Sequence, residues 1–227
     1  MEDPAIHNPY EQSTENKEGF QTGKITVCIG ERDHHEGFLP EGISMAKRGR
    51  DEGVRIPGID NVAFAGEGYY LDMQGISHDG RYTGSFLISE ANPNDKLSES
   101  YFGCVGLVVI GKMIDRDENI SIIVHIPVYQ TDDNKFIESL IDRLSELGNK
   151  VELGTIDAIV FGGKIRGNDP KLITDYEKGM LEISTIVEEK FSIKPRIAAN
   201  PKNEQIISDD VYLDTHQRRL YLMQNPA

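Results

Sequence analysis

A chain of 227 residues with 38% hydrophobic and 27% charged side chains is long enough for a sizeable core and has the composition of a soluble globular protein. Its formal charge of −14 at pH 7 argues against direct binding to nucleic acid or an anionic membrane, both of which need a basic face. The two cysteines, Cys28 and Cys104, lie far apart and make neither a disulfide framework nor a zinc motif, which favours a reducing compartment. No apolar run reaches membrane-spanning length, and the acidic start (Met-Glu-Asp-Pro) carries no Sec-type signal. The expected location is cytoplasmic, with delivery as an effector by a signal-peptide-independent route left open.

Met1 to Gly23 is polar and reads as a flexible segment. Lys24 to Gly30 alternates and reads as a strand, within which Cys28 packs rather than reacts. In the following loop, Asp33, His34, His35 and Glu36 resemble a metal cluster only superficially. Neighbouring side chains on an extended chain point apart, so no metal site is expected there. A short helix is predicted over Ile43 to Arg50, then short strands over Asn61 to Gly66, Tyr69 to Met73 and Arg81 to Ile88. Glycine-rich turns about every ten residues between them suggest an antiparallel meander. Ala91 to Lys96 reads as a loop leading into Ser98.

The centre of the sequence is the stretch from Ser98 to Pro127. Its two apolar, β-branched runs, Cys104 to Ile110 and Ile120 to Ile126, do not alternate with polar residues, which predicts strands covered on both faces. The charged run Lys112 to Asn119 connects them. In an antiparallel hairpin with its loop near Asp115 and Arg116, Cys104 falls opposite Ile126, give or take about one residue. Registers that place it opposite His125 or Pro127 put Cys104 and His125 on one face; the intervening one parts them. A cysteine and a histidine that meet in this way can form a thiolate–imidazolium pair, a nucleophile held ready near neutrality. Gly103 would let the backbone turn so that amide N–H groups face a developing oxyanion. The plainer reading is that Cys104 is a small core residue and His125 a satisfied core polar group.

Beyond the hairpin, Phe136, Leu140, Ile141, Leu144 and Leu147 fall at helical spacing within Asp132 to Leu147. Asp132 or Asp133 can cap this helix and Gly148 can close it. Thr155 to Phe161 is a buried strand ending in Gly162-Gly163. Pro170 to Phe191 is a longer helix, Lys194 to Ala199 a strand, and Val211 to Leu213 with Leu220 to Met223 a last hairpin. The elements predict an α/β (α+β) fold, a central mixed and largely antiparallel β-sheet sandwich flanked by helices. It is expected as a single domain over residues 24–227, with a β-rich part (24–93) and a catalytic part (94–227).

This order of elements resembles the CheD family of chemoreceptor glutamine deamidases and the wider set of bacterial Cys–His deamidases that includes toxins of the cytotoxic-necrotising-factor type. Y-F-G-C ending at Cys104 is similar to the family's nucleophile motif, V-H-I-P with His125 to its histidine strand, and Phe161-Gly162-Gly163 to its Phe-Gly-Gly. Ser98 stands six residues before Cys104, where the family places a hydroxyl residue. The likeness covers roughly Leu97 to Met223. It departs where the family has Gly-Glu-Arg-Asn and a late Gly-Gly turn, since this chain has D-Y-E-K-G-M and N-P-K-N-E there. The resemblance implies a protein-glutamine deamidase that needs no cofactor. Cys104 would be the nucleophile, His125 the base and Ser98 the group orienting the imidazole. Gly103, Phe161, Gly162 and Gly163 would support the oxyanion region. Its partner would be a protein bearing a target glutamine. The same pair could instead serve another cysteine hydrolase acting on a small molecule, or the protein could be a non-catalytic CheD-like binder.

Overall fold

The two apolar runs at the centre of the sequence form the two longest strands of one sheet. The computed structural model describes residues 23–31, 39, 59–63, 86–98, 101, 103–162, 170–199 and 206–226. Strand β5 (Cys104–Lys112) pairs antiparallel with β6 (Asn119–Pro127). On its other side β5 pairs antiparallel with β7 (Asp157–Gly162), which runs parallel to β8 (Arg196–Ala199). The short β3 (Leu87–Ile88) closes the edge beside β6, giving the order β3-β6-β5-β7-β8. A second five-stranded sheet is built from β1 (Thr26–Glu31), β2 (Ile59–Ala63), β4 (Asp95–Ser98), β9 (Ile206–Asp214) and β10 (Arg219–Pro226), in the order β1-β10-β9-β4-β2. The fold is therefore mixed α/β, with two mixed five-stranded sheets, antiparallel at most of their pairings taken together, and two α-helices among the described residues.

Side-chain alternation explains why neither central strand shows a polar face. Val105, Leu107 and Val109 of β5 and Ile120, Ile122, Val124 and Ile126 of β6 pack against helices α1 (Asn134–Gly148) and α2 (Pro170–Phe191). The helices supply apolar stripes, Phe136, Leu140, Leu144 and Leu147 from α1 and Tyr176, Met180, Ile183 and Val187 from α2, while Ile141, expected on the α1 stripe, is exposed. The opposite face, with Val108, Ile110, Ile123, Ile159 and Phe161, joins Val211, Leu213, Leu220 and Leu222 of the second sheet in one buried cluster. Both faces of the central sheet are thus out of water, as the unbroken apolar runs require. On its outer face the second sheet buries Leu97, Tyr212, Tyr221 and Met223, with Cys28 packed against them.

Several local expectations need correction. Asp95–Ser98 was expected at the end of a loop but is strand β4, held between β9 and β2. Its sequence, D-K-L-S, has no strand signature; long-range pairing makes it a strand. Of the expected meander, the described parts lie in different sheets, β2 parallel to β4 and β3 antiparallel to β6, while Tyr69 to Met73 lies outside the described residues. Helix α1 starts as expected, with the Asp133 carboxylate accepting from the N–H groups of Lys135 and Phe136. It runs through Gly148 and is capped by Asn149. The last hairpin is longer than its apolar residues suggest. The expectations for residues 1–22, 32–36, 43–50, 69–73 and most of 81–88 lie outside the described residues.

Candidate active site

The approach to β5 needs a glycine. Gly103 has φ +62°, in the left-handed region that a side chain disfavours, and its carbonyl accepts from the Val128 N–H at 3.2 Å. The chain then enters β5 with Cys104 facing the layer between the two sheets. Cys104 pairs with Pro127 and Gly106 with His125, which is one of the two registers that put Cys104 and His125 on a common face. They are diagonal cross-strand neighbours, a relation in which long or ring side chains can reach each other over Cα separations of about 7–8 Å.

The second sheet supplies the third member. Ser98, at the end of β4, is fully buried, and its Oγ lies 3.1 Å from His125 Nδ1 in a hydrogen bond whose donor depends on the ring tautomer. Sequence reasoning set Ser98 six residues before Cys104; the structure brings it to the ring from the opposite sheet. One imidazole nitrogen is thereby engaged, leaving Nε2 as the one that can exchange a proton with a nucleophile.

An aromatic stack holds the ring. Tyr101 lies flat on His125, with centroids 4.0 Å apart and planes 17° apart, and its hydroxyl donates to the Val124 carbonyl at 3.1 Å. Phe161 meets Tyr101 edge-on at 4.9 Å. The Phe161 ring occupies the space a side chain at residue 106 would need, since a Cβ on Gly106 would lie 2.3 Å from it. Gly162 has a similar part on the other face. A Cβ there would fall 2.0 Å from the Tyr176 hydroxyl and 2.7 Å from the Cys104 carbonyl oxygen. Phe161 and Gly162 thus pack the site from two sides, while Gly163 lies outside the described residues. The sequence reading missed Tyr101, although it sits inside Y-F-G-C. Nor did it assign Tyr176 or Asp209 to the site.

Electrostatically the pair rests uncharged. Cys104 is 6% exposed and burial pushes its thiol up to about 12, while His125 is 2% exposed and burial pushes its imidazole down to about 3. This corrects the expectation of a preformed thiolate–imidazolium pair. Asp209 of β9 is also buried, and desolvation with the nearby Asp210 charge raises its carboxyl to about 7. Cys28 is half-buried in another cluster, away from this layer. Among the described residues no group of three or more His, Cys, Asp or Glu side chains could hold a metal ion, and no helix is long and apolar enough to cross a membrane. No protein-family model matches the sequence, and no curated protein matches it.

Proposed function

We propose that this protein is a CheD-like cysteine hydrolase that deamidates glutamine on a partner protein. The observation that carries the reading is the hydrogen bond between Ser98 Oγ and His125 Nδ1, which orients an imidazole on the same buried face as Cys104. The Cys104 Sγ attacks the carboxamide carbon as His125 Nε2 takes its proton. Backbone N–H groups around Gly103 and Cys104 receive the oxyanion. His125 then returns the proton to the departing nitrogen, so ammonia leaves and a thioester remains. Water, deprotonated by His125, cleaves the thioester to glutamate and the free thiol. No external oxidant, reductant or metal enters this balance.

Burial of the thiol bears on the substrate class. A glutamine side chain is slender and ends in a flat carboxamide, so it can reach a nucleophile set back from the surface. A backbone amide in a folded partner cannot. Intact-mass analysis of candidate proteins incubated with the wild type and with Cys104→Ala tests the proposal. A gain of about one dalton with matching ammonia release, absent with the variant, is the expected result. No mass change with either protein counts against it.

One observation favours a non-catalytic binder instead: the raised Cys104 thiol in an almost closed layer. Alkylation kinetics at neutral pH separate the two, because a site built for catalysis must open to a small electrophile and a core cysteine does not.

A further inference from the structure

Two buried polar atoms near Cys104 are left unsatisfied. The Tyr176 hydroxyl and Asp209 Oδ1 each have no hydrogen-bond partner among the described residues, although Tyr176 is fully buried and Asp209 is 5% exposed. Such atoms are rare in folded proteins because each forfeits the hydrogen bonds it made in water, and a native example calls for an explanation.

Their placement supplies one. Asp209 lies two and four residues from Val211 and Leu213 on a strand of unbroken register at those positions, so it shares their face toward the layer between the sheets. Its carbonyl accepts from the N–H of Tyr101, the residue stacked on His125, at 2.9 Å. The Tyr176 hydroxyl comes from the helix side, over Gly162 and beside the Cys104 carbonyl. Tyr176 feels the charges of both Asp209 and Cys104, so the three groups are close enough to interact. An acceptor and a donor with open hydrogen-bonding capacity therefore converge on the neighbourhood of the nucleophile.

We propose that Asp209 and Tyr176 form the subsite that recognises a primary carboxamide, Asp209 accepting from the amide NH2 and Tyr176 donating to the carbonyl oxygen. The inference rests on the deamidase reading and adds the discrimination that reaction needs. A carboxylate product, having no N–H to donate, meets the Asp209 charge and is expelled. Substrate and product differ in that one group, and a site built to hydrogen-bond it rejects the analogue lacking it.

The test uses two alkylating agents of nearly equal size. Iodoacetamide carries the primary carboxamide, and iodoacetate carries the carboxylate of the product. Rates of Cys104 alkylation by each are measured by intact mass and peptide mapping at pH 8, where Asp209 is largely ionised. Each ratio is divided by that of a free peptide thiol. In the wild type the normalised preference for iodoacetamide should be about tenfold to a hundredfold, the range of a hydrogen bond to a charged group with its unsatisfied counterpart. Asp209→Asn should bring the ratio close to that of the free thiol, and Tyr176→Phe should lower it part of the way. Thermal melts keep the readout distinct from a folding role. Removing an unsatisfied buried atom should leave the melting temperature unchanged or raise it while selectivity falls. Equal ratios in all three proteins would overturn the subsite and leave the Cys104 nucleophile standing. A lower melting temperature with selectivity intact would also overturn it, since the two groups would then be structural. No alkylation of Cys104 by either reagent would remove the deamidase reading itself, and the subsite with it.

Discussion

The two faces of the central sheet come from the same two strands and differ completely in content. Toward the helices, β5 and β6 present only Val, Leu and Ile apart from Gly111, and the layer is an apolar core. Toward the second sheet, the same strands present Cys104, Gly106, His125 and Ser121 among Val108, Ile110 and Ile123. Burial is nearly total on both faces, so it does not distinguish them. The polar groups do: Ser98 and Asp209 reach the inner layer from the opposite sheet, while the helix side receives the Tyr176 hydroxyl at its margin, over Gly162. Alternation with period two lets one hairpin carry a packing face and a chemical face at once.

The sharpest way to break this comparison is to remove Cys104, the proposed nucleophile. Cys104→Ala should abolish deamidation, and His125→Ala should cost nearly as much, because nucleophile and base act as a unit and their effects do not add. Cys28→Ala, in the other cluster, should keep the wild-type rate in the same mass assay. The opposite face answers to a different measurement. Leu107→Ala should lower stability by about 2–5 kcal/mol in denaturant titrations, through lost burial and the cavity left behind. Its activity per folded molecule should stay close to wild type, and a large catalytic loss would mean that the two faces are not separable. Ser98→Ala sharpens the comparison on the inner side. With the orienting bond gone, the rate should fall by about tenfold to a thousandfold while the fold persists.

A smaller effect is expected from Gly106→Ala. The new methyl overlaps the Phe161 ring and pushes on the stack that holds His125, for a cost of about 1–3 kcal/mol in stability together with a measurable drop in rate. The effect smallest in the wild type itself, where two slopes oppose, lies in the pH dependence of stability. His125 has its folded value lowered from 6.5 to about 3, so it withdraws stability as the pH falls below 6.5. Asp209 has its folded value raised from 3.8 to about 7, so it withdraws stability as the pH rises through that interval. Between about pH 3.8 and 6.5 the two slopes oppose and nearly cancel. Asp209→Asn should uncover the His125 slope, with stability lost toward acid. His125→Asn should uncover the opposite slope, with stability lost toward neutrality. Each difference from the wild-type curve should be no steeper than about 1.4 kcal/mol per pH unit. Parallel curves for all three proteins would show that neither group is buried in its stated form.

How legible this was in the sequence follows from range. The β5–β6 hairpin and both helices could be read because their signals are local: unbroken β-branched runs, apolar residues at helical spacing, and an aspartate at a helix start. The shared face of Cys104 and His125 was narrowed to particular registers, and pairing with Pro127 selects one of them. Strand β4 could not be read, since Asp95–Ser98 becomes a strand only by lying between β9 and β2. Asp209 was invisible for a similar reason. Nothing near it in sequence shows that its strand faces a buried nucleophile. The charge state of the pair was misjudged because spacing carries no information about desolvation, which sets the sign of both shifts.

The bond between Ser98 and His125 also has a consequence in time. The strands of the β5–β6 hairpin are joined by one short loop, so Cys104 and His125 are brought onto one face by contacts of low sequence separation. Ser98 is held by β9, far along the chain, in a pairing whose flank is fixed by the Tyr212 hydroxyl donating to Asp95 at 2.6 Å across 117 residues. During synthesis Cys104 and His125 therefore emerge well before β9, the strand that pairs with β4 and holds Ser98 in place. A chain lacking β9 also lacks the pairing that holds Ser98 against His125, so on the proposed mechanism competence arrives only with the closing strands.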